Sequence, residues 1–304
     1  MSHRFRHRME AALFWVVSLL LSIVSRRRAL AMGAGLGRWW ARLDARHVRI
    51  ASENLHCAFP GWDAARVDHT ARGVYAHFGG MLFEILWLGL RPKEAMLDGA
   101  KLIGREHVDA AYAAGKGILF VTAHFGNWEL HAAHHSLVSR SIGVVARPLD
   151  NPLLDARLVA FRSRGGNTVI YKRQALGRVL KMIRAGEGVA ILIDQNVQAS
   201  DGIFVDFFGR PAATTTVAAA VAVKTGCALI PVRSILHADG RYSLIYEPPV
   251  TWRASGDRQA DIAAITQSLT TRIETWIREY PDQWLWLHRR WKTRPPGERT
   301  DEAS

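Results

Sequence analysis

Residues 117–123 read GILFVTA, a continuous apolar run that starts on a glycine and ends against His124. A half-exposed strand would alternate polar and apolar side chains, and a membrane helix needs a far longer run. This segment therefore reads as a strand covered on both faces. Comparable short runs follow at 142–146, 168–171 and 189–193, and a helical pattern at 174–185, ended by Gly186, separates the last two. Strands of this kind alternating with helices imply an α/β fold, a mostly parallel central sheet flanked by helices. Further on, 215–224 is an Ala-rich helix, 228–235 and 241–246 are a late pair of strands, and 262–280 is a closing amphipathic helix. Upstream, 29–90 reads as helical. Val67, Val74, Phe78, Leu82, Ile85 and Leu86 fall at helical spacings within 66–90, where Gly79-Gly80 is an expected kink.

The N-terminus has a different character. Arg4, Arg6 and Arg8 precede AALFWVVSLLLSIV at 11–24, and Arg26, Arg27 and Arg28 close it. The run is shorter than the ~20 residues of a spanning helix. A secretory signal would be followed by a small-residue cleavage site, whereas here a basic cluster follows. A buried core helix does not want arginines at both ends. Residues 1–28 thus read as a membrane-anchoring helical layer, short-spanning or lying in the interface, with arginines among anionic headgroups at about 1 kcal/mol each. Residues 29–292 then form a single α/β domain, and 293–304 a polar, Pro-rich tail expected to be mobile.

Composition narrows the partners. Forty Lys and Arg against 27 acids leave a formal charge of +13, a field that attracts nucleic acid, anionic lipid or an acidic carrier protein. A hydrophobic fraction of 49% with mean hydropathy −0.02 excludes a polytopic membrane protein. Eleven tryptophans suit a boundary between apolar and wet surroundings. The two cysteines, Cys57 and Cys227, form no C-x-x-C and no disulfide framework, as in a folded part that faces a reducing compartment. Both read as packed thiols.

The chemistry is expected at VTAHFGNWEL, where His124 follows the buried strand and Glu129 lies five positions on. Five residues along a helix turn by about 140°, so the pair cannot face each other on one helix. His124 is placed on the strand-to-helix turn and Glu129 in the first helical turn, with Asn127 as N-cap. From there the carboxylate is expected to reach back to one imidazole nitrogen, freeing the other to take a proton from a hydroxyl. Thirteen His and 27 acids make one such spacing expected by chance, so the weight rests on its position, at the carboxyl end of a sheet strand. Arg147, Arg162 and Arg164 follow as candidate anion ligands, and Asp194 ends another buried strand. His131 and His135 stand one turn apart but have no third metal ligand, and with His134 they read as a polar helix face; no metal or organic cofactor is expected. Trp284, Trp286, His288 and Trp291 either pack a C-terminal element on the sheet or line a donor entrance.

Nearly the whole chain resembles the bacterial lipid A biosynthesis acyltransferase family, within the wider lysophospholipid acyltransferase group. The resemblance rests on NLHCAFP at 54–60, Glu84, HFGNWE at 124–129, RPLDNPLLD at 147–155, FRSRGG at 161–166, Asp194-Gln195, FVDFFGRPAATT at 204–215, TGCALIPV at 225–232 and YPDQWLWLHRRW at 280–291. It implies acyl transfer from acyl carrier protein to a hydroxyl of a sugar-based lipid, at the cytoplasmic side of the bacterial inner membrane. His124 matches the family's catalytic base and Glu129 its orienting acid; Arg162 and Asp194 match further positions needed for activity. Arg147, Arg162, Arg164, Asp194 and Asn127 are the implied substrate-binding set. Glycerolipid relatives carry N-H-x-x-x-x-D and a later E-G-T-R, where this chain has Ala123, Glu129 and Asp194-Gln195-Asn196. That departure favours the lipid A branch. The alternatives are an acyl-CoA-dependent enzyme acting on a phosphatidylinositol mannoside, ornithine lipid or lysophospholipid, and a non-catalytic basic protein that binds membrane. Nucleic acid is not an expected partner.

Overall fold

The computed structural model describes residues 3–172 and 175–297. Four helices come first: α1 (His3–Leu21), α2 (Arg26–Trp40), α3 (Ala45–Ala58) and α4 (Ala64–Gly89). There follow β1 (Ala100–Ile103), α5 (Arg105–Ala113), β2 (Ile118–Thr122), α6 (Trp128–Val138), β3 (Ile142–Ala146), α7 (Pro152–Arg162), β4 (Thr168–Tyr171), α8 (Ala175–Arg184) and β5 (Gly188–Leu192). The chain continues through a hairpin of β6 (Ile203–Phe207) and β7 (Arg210–Thr214) to α9 (Val217–Thr225), β8 (Ala228–Leu236), β9 (Tyr242–Tyr246) and α10 (Arg258–Glu279).

Seven strands form one sheet in the order β1-β9-β8-β2-β5-β3-β4, parallel throughout except where β8 meets β9. Every residue of β2 is buried. Leu119 and Val121 join the core on one face of the sheet, while Ile118 and Phe120 join the opposite one. Successive strand side chains point to opposite faces, so the unbroken apolar run serves two layers of helix at once. The 204–215 motif folds apart from the sheet as the β6–β7 hairpin, turned by Phe208 and Gly209, both at positive φ.

Several expectations change on the structure. Helix α4 runs unbroken through Gly79-Gly80. The glycine serves packing: a Cβ on Gly33 of α2 would lie 2.3 Å from the Gly79 carbonyl oxygen, and only bare backbone lets the two helices come this close. Among the described residues no helix is long and apolar enough to cross a membrane. Much of the apolar surface of α1 and α2 nevertheless faces outward: Leu13 is 61% exposed, Leu20 59% and Trp40 52%, while Leu21 and Leu30 pack inward. Arg26, expected in a headgroup cluster, instead points inward and its Nε donates to buried Glu84 at 2.6 Å. His131, His134 and His135 are buried, not a polar face; the His135 imidazole meets the Tyr246 hydroxyl at 2.7 Å. Burial pushes the His131 pKa down to about 3 and that of His135 to about 4, so both are neutral. The tail beyond 297 and Gln174, the first residue of the expected 174–185 helix, lie outside the described residues.

Candidate active site

Sheet register builds the centre of the site. Strands β2 and β5 are parallel neighbours with Thr122 opposite Leu192. His124 and Asp194 each lie two residues past those partners, so the two strand ends deliver them side by side at the carboxyl edge of the sheet. The imidazole Nδ1 lies 2.9 Å from Asp194 Oδ1, and the His124 backbone N–H donates to Asp194 Oδ2 at 2.8 Å. A carboxylate only accepts, so Nδ1 carries the hydrogen and Nε2 keeps its lone pair. The His124 side chain is 21% exposed and that of Asp194 1%, which leaves the basic nitrogen open to a substrate and the carboxylate sealed.

The expected reach of Glu129 to the imidazole is replaced by this Asp194 contact. Glu129, in the first turn of α6, faces the end of α7, where Arg162 donates from Nε to Oε2 at 2.8 Å and from Nη2 to Oε1 at 2.5 Å. The Trp128 indole N–H adds a bond to Oε1 at 3.1 Å. Glu129 therefore acts on His124 through space rather than by a hydrogen bond. Burial opposes protonation of His124, but the charge and hydrogen bond of Asp194, with a smaller push from the Glu129 charge, lift its pKa above the ordinary 6.5. Burial likewise disfavours the Asp194 anion, yet His124 and the His288 ring beyond it hold that carboxyl well below its usual range.

The turn itself is strapped from behind by the C-terminal motif. The Gly126 N–H donates to the Gln283 carbonyl at 2.8 Å, the Leu285 N–H to the His124 carbonyl at 3.0 Å, and the Trp284 indole N–H to Asp194 Oδ2 at 2.8 Å. Trp284, Trp286 and Trp291 are buried, so these three rings pack the C-terminal element on the sheet, while His288 is half-buried. Asn54 of the 54–60 motif holds the strap in turn, donating to the carbonyls of Trp286 and His288, each at 2.8 Å. Gly126 has φ +60°, and a Cβ there would lie 1.8 Å from the Ser234 carbonyl oxygen, so this position of the turn accepts only glycine.

The other expected ligands divide. Asn127 caps α6 by accepting the Leu130 N–H at 2.9 Å, and its amide donates to Glu84 Oε2 at 2.9 Å; it is wholly buried, so its work is to shape the turn, not to touch a substrate. Glu84 also accepts from the Tyr242 hydroxyl at 2.7 Å, which joins α2, α4, β9 and the turn in one buried network. Arg164 spends its donors on the Leu88 and Arg91 carbonyls at the end of α4, away from the imidazole. Arg147 is exposed. Arg162 Nη1 is buried without a protein partner. Beside the open face of His124 stands Gln195, its amide nitrogen 3.5 Å from Nε2, while the Trp128 ring packs edge-on at 5.0 Å between centroids and Phe78 packs on Trp128 at 6.0 Å. Sequence patterning offered no sign of the Trp284 bond to Asp194 or of Gln195 at the base. An exposed imidazole nitrogen, a fixed tautomer and an apolar wall can together deprotonate a hydroxyl beside a greasy chain.

Residues 1–293 match the family described as bacterial lipid A biosynthesis acyltransferase. The chain is 30% identical over 287 residues to the lipid A biosynthesis lauroyltransferase of Escherichia coli K12, covering 94% of this chain and 90% of that one. It is 26% identical over 269 residues to the lipid A biosynthesis palmitoleoyltransferase of the same organism, 88% of this chain and 86% of the other. Over 223 residues it is 30% identical to the phosphatidylinositol mannoside acyltransferase of Mycobacterium tuberculosis, 71% and 67% of the two chains. These relatives are named as acyltransferases, and the protein is an enzyme that transfers acyl groups. With nearly its full length matched, the chain belongs to the bacterial lipid A biosynthesis acyltransferase family.

Proposed function

We propose that the protein moves a fatty acyl group from an acyl-carrier-protein thioester to a hydroxyl of a sugar-based lipid of the lipid A precursor type. The observation that carries this reading is the open Nε2 of a histidine whose Nδ1 is held by Asp194 at 2.9 Å. Nε2 takes the proton of the acceptor hydroxyl as its oxygen attacks the thioester carbonyl. The tetrahedral oxyanion meets a donor such as the Gln195 amide, and collapse expels the thiolate, to which the imidazolium returns the proton. Asp194 stabilises the imidazolium between those steps. Glu129 and Arg162 brace each other behind the imidazole, and the Glu129 charge favours the imidazolium. Trp128 and Phe78 wall the apolar approach.

The outward apolar side chains of α1 and α2, set among Arg4, Arg8 and Arg28, favour a chain whose N-terminal layer lies in the interface of an anionic membrane, the cytoplasmic face of the inner membrane for a carrier-protein donor. Replacing Leu13, Leu20 and Trp40 by Ser should abolish flotation with anionic vesicles; unchanged flotation removes this placement. A second reading, acyl-CoA as donor and a phosphatidylinositol mannoside as acceptor, is favoured by the similarity to the Mycobacterium tuberculosis enzyme. Purified protein offered acyl carrier protein and CoA thioesters in competition, with both acceptors present and products read by mass spectrometry, separates the two. Acylated lipid A precursor made from the carrier thioester is the expected product, and mannoside acylation from CoA alone overturns the first reading.

A further inference from the structure

A cavity of 790 Å³ lies away from His124, between α2, α4 and the turn joining β8 to β9. Neither His124, Asp194, Glu129 nor Trp128 lines it. Its α4 wall includes Ala76, and Phe78, which packs on Trp128, stands about 200° round the helix from there, so α4 separates this cavity from the catalytic mouth. The volume is that of a small-molecule site, in the range of about 300–1,000 Å³.

Its walls are of two kinds. Leu30, Ala34, Ala76 and Leu236 make the apolar part. Arg27, Arg38 and Arg72 supply cationic groups, Arg72 also bonding Asp68 through Nε at 2.8 Å, and Asp282 is the one carboxylate of the lining. An apolar slot with a cationic rim is complementary to a molecule with a greasy part and an anionic head, and Arg in particular presents a fork that fits phosphate. Two further lining residues reach the catalytic turn from the back. The His77 imidazole bonds the Gly126 carbonyl at 3.1 Å, and the Gln283 carbonyl accepts the Gly126 N–H at 2.8 Å. Both polar groups of one turn residue are thus held by residues that line the cavity.

We infer that this cavity is a binding site for a phosphate-bearing lipid, separate from the acyl-transfer centre, whose occupancy steadies the turn that carries His124. The occupant lays its chain against Leu30, Ala34 and Ala76, and its phosphate meets Arg38 and Arg72. A filled cavity leaves His77 and Gln283 less room to move, and the Gly126 backbone gains rigidity through them.

The test uses the purified full chain in nonionic detergent, titrated with short-chain phosphatidic acid by calorimetry. Inorganic phosphate and the matching diacylglycerol are titrated alongside. Hydrogen exchange across 124–130 is measured with and without the lipid. One saturable site for phosphatidic acid is expected, at least tenfold tighter than for phosphate or diacylglycerol, with slowed exchange at 124–130. Arg38→Ala with Arg72→Ala should weaken it at least tenfold, as should Ala34→Phe with Ala76→Phe. Arg178→Ala with Arg184→Ala, an equal charge loss on the exposed face of α8, should leave it unchanged. Should the phenylalanine pair fail to fold, the arginine pair, which alters only exposed and half-buried side chains, decides alone. Phosphate or diacylglycerol binding as tightly as the lipid overturns the inference. So does equal weakening by the Arg178/Arg184 pair, or binding indifferent to Arg38 and Arg72. Binding without any change of exchange at 124–130 overturns the coupling to the turn.

Discussion

Asp194→Asn should cost most of the activity and little of the fold. Asp194 Oδ2 accepts two N–H groups, from the His124 backbone and the Trp284 indole, both at 2.8 Å. An asparagine must set its carbonyl oxygen at that position, because both neighbours are donors. Its amide NH2 then occupies the place of Oδ1, 2.9 Å from the imidazole Nδ1. A donor facing Nδ1 drives the ring proton to Nε2, the nitrogen that has to act as base. Loss of the charge-assisted bond alone removes about 1.5–3 kcal/mol from the imidazolium-like transition state, roughly 10–150-fold in rate. The wrong tautomer adds to this, and a comparable exchange in a serine protease triad costs ~10⁴. We expect kcat to fall about 10³–10⁴-fold with the melting temperature little changed. The pH profile gives a second reading. The wild-type His124 pKa is raised above 6.5, and the base works only when neutral, so kcat/KM should rise with pH through a limb above 6.5. Without the Asp194 charge the limb in the residual activity should move to lower pH. Activity within tenfold of wild type, or a limb that stays in place, would refute the assignment of Asp194.

Glu129→Gln breaks the paired bonds from Arg162 yet leaves the His124 tautomer intact; it should lower stability by about 1–3 kcal/mol, read by urea denaturation, and shift the acid limb less than Asp194→Asn does. Glu84→Leu strands the Arg26 guanidinium and removes the partner of Asn127 and Tyr242, a loss of about 3–5 kcal/mol that a denaturant midpoint would report. Gly126→Ala asks an L-residue to hold φ +60° against the Ser234 carbonyl at 1.8 Å, so the turn must shift; an ångström of misplacement costs about 100-fold in kcat, and steady-state kinetics on a variant shown by circular dichroism to be folded would test this.

Much of the sheet was legible because its central strands, β2 and β5, are covered on both faces. Runs 142–146 and 168–171 coincide with β3 and β4, the latter an edge strand in which Ile170 is buried while Thr168 and Tyr171 are exposed. The placement of His124 on the turn after β2 and of Asn127 as cap followed from local chemistry alone. The partner of His124 did not, because strand neighbours and register are long-range facts: β5 lies beside β2 although β3 and β4 intervene in sequence. Asp194 was visible as the end of a buried strand, but nothing local says that this strand stands next to β2. Glu129, nearer in sequence, is drawn to Arg162 by the packing of α6 against the end of α7. The β6–β7 hairpin escaped patterning because Phe208-Gly209 lacks the usual Asn-Gly or Asp-Gly turn signature.

The most direct measurement is single-turnover acyl transfer by His124→Ala, mixed with acyl carrier protein thioester and lipid A precursor and followed by mass spectrometry, alongside a circular dichroism spectrum of the variant. A folded protein with acyl transfer reduced by about 10³-fold or more is the expected result, since the other imidazole beside Asp194, that of His288, has its Nδ1 on the Leu285 carbonyl and its Nε2 buried. Transfer at the wild-type rate from the folded variant would contradict the general-base role of His124 and with it the chemistry assigned to the site.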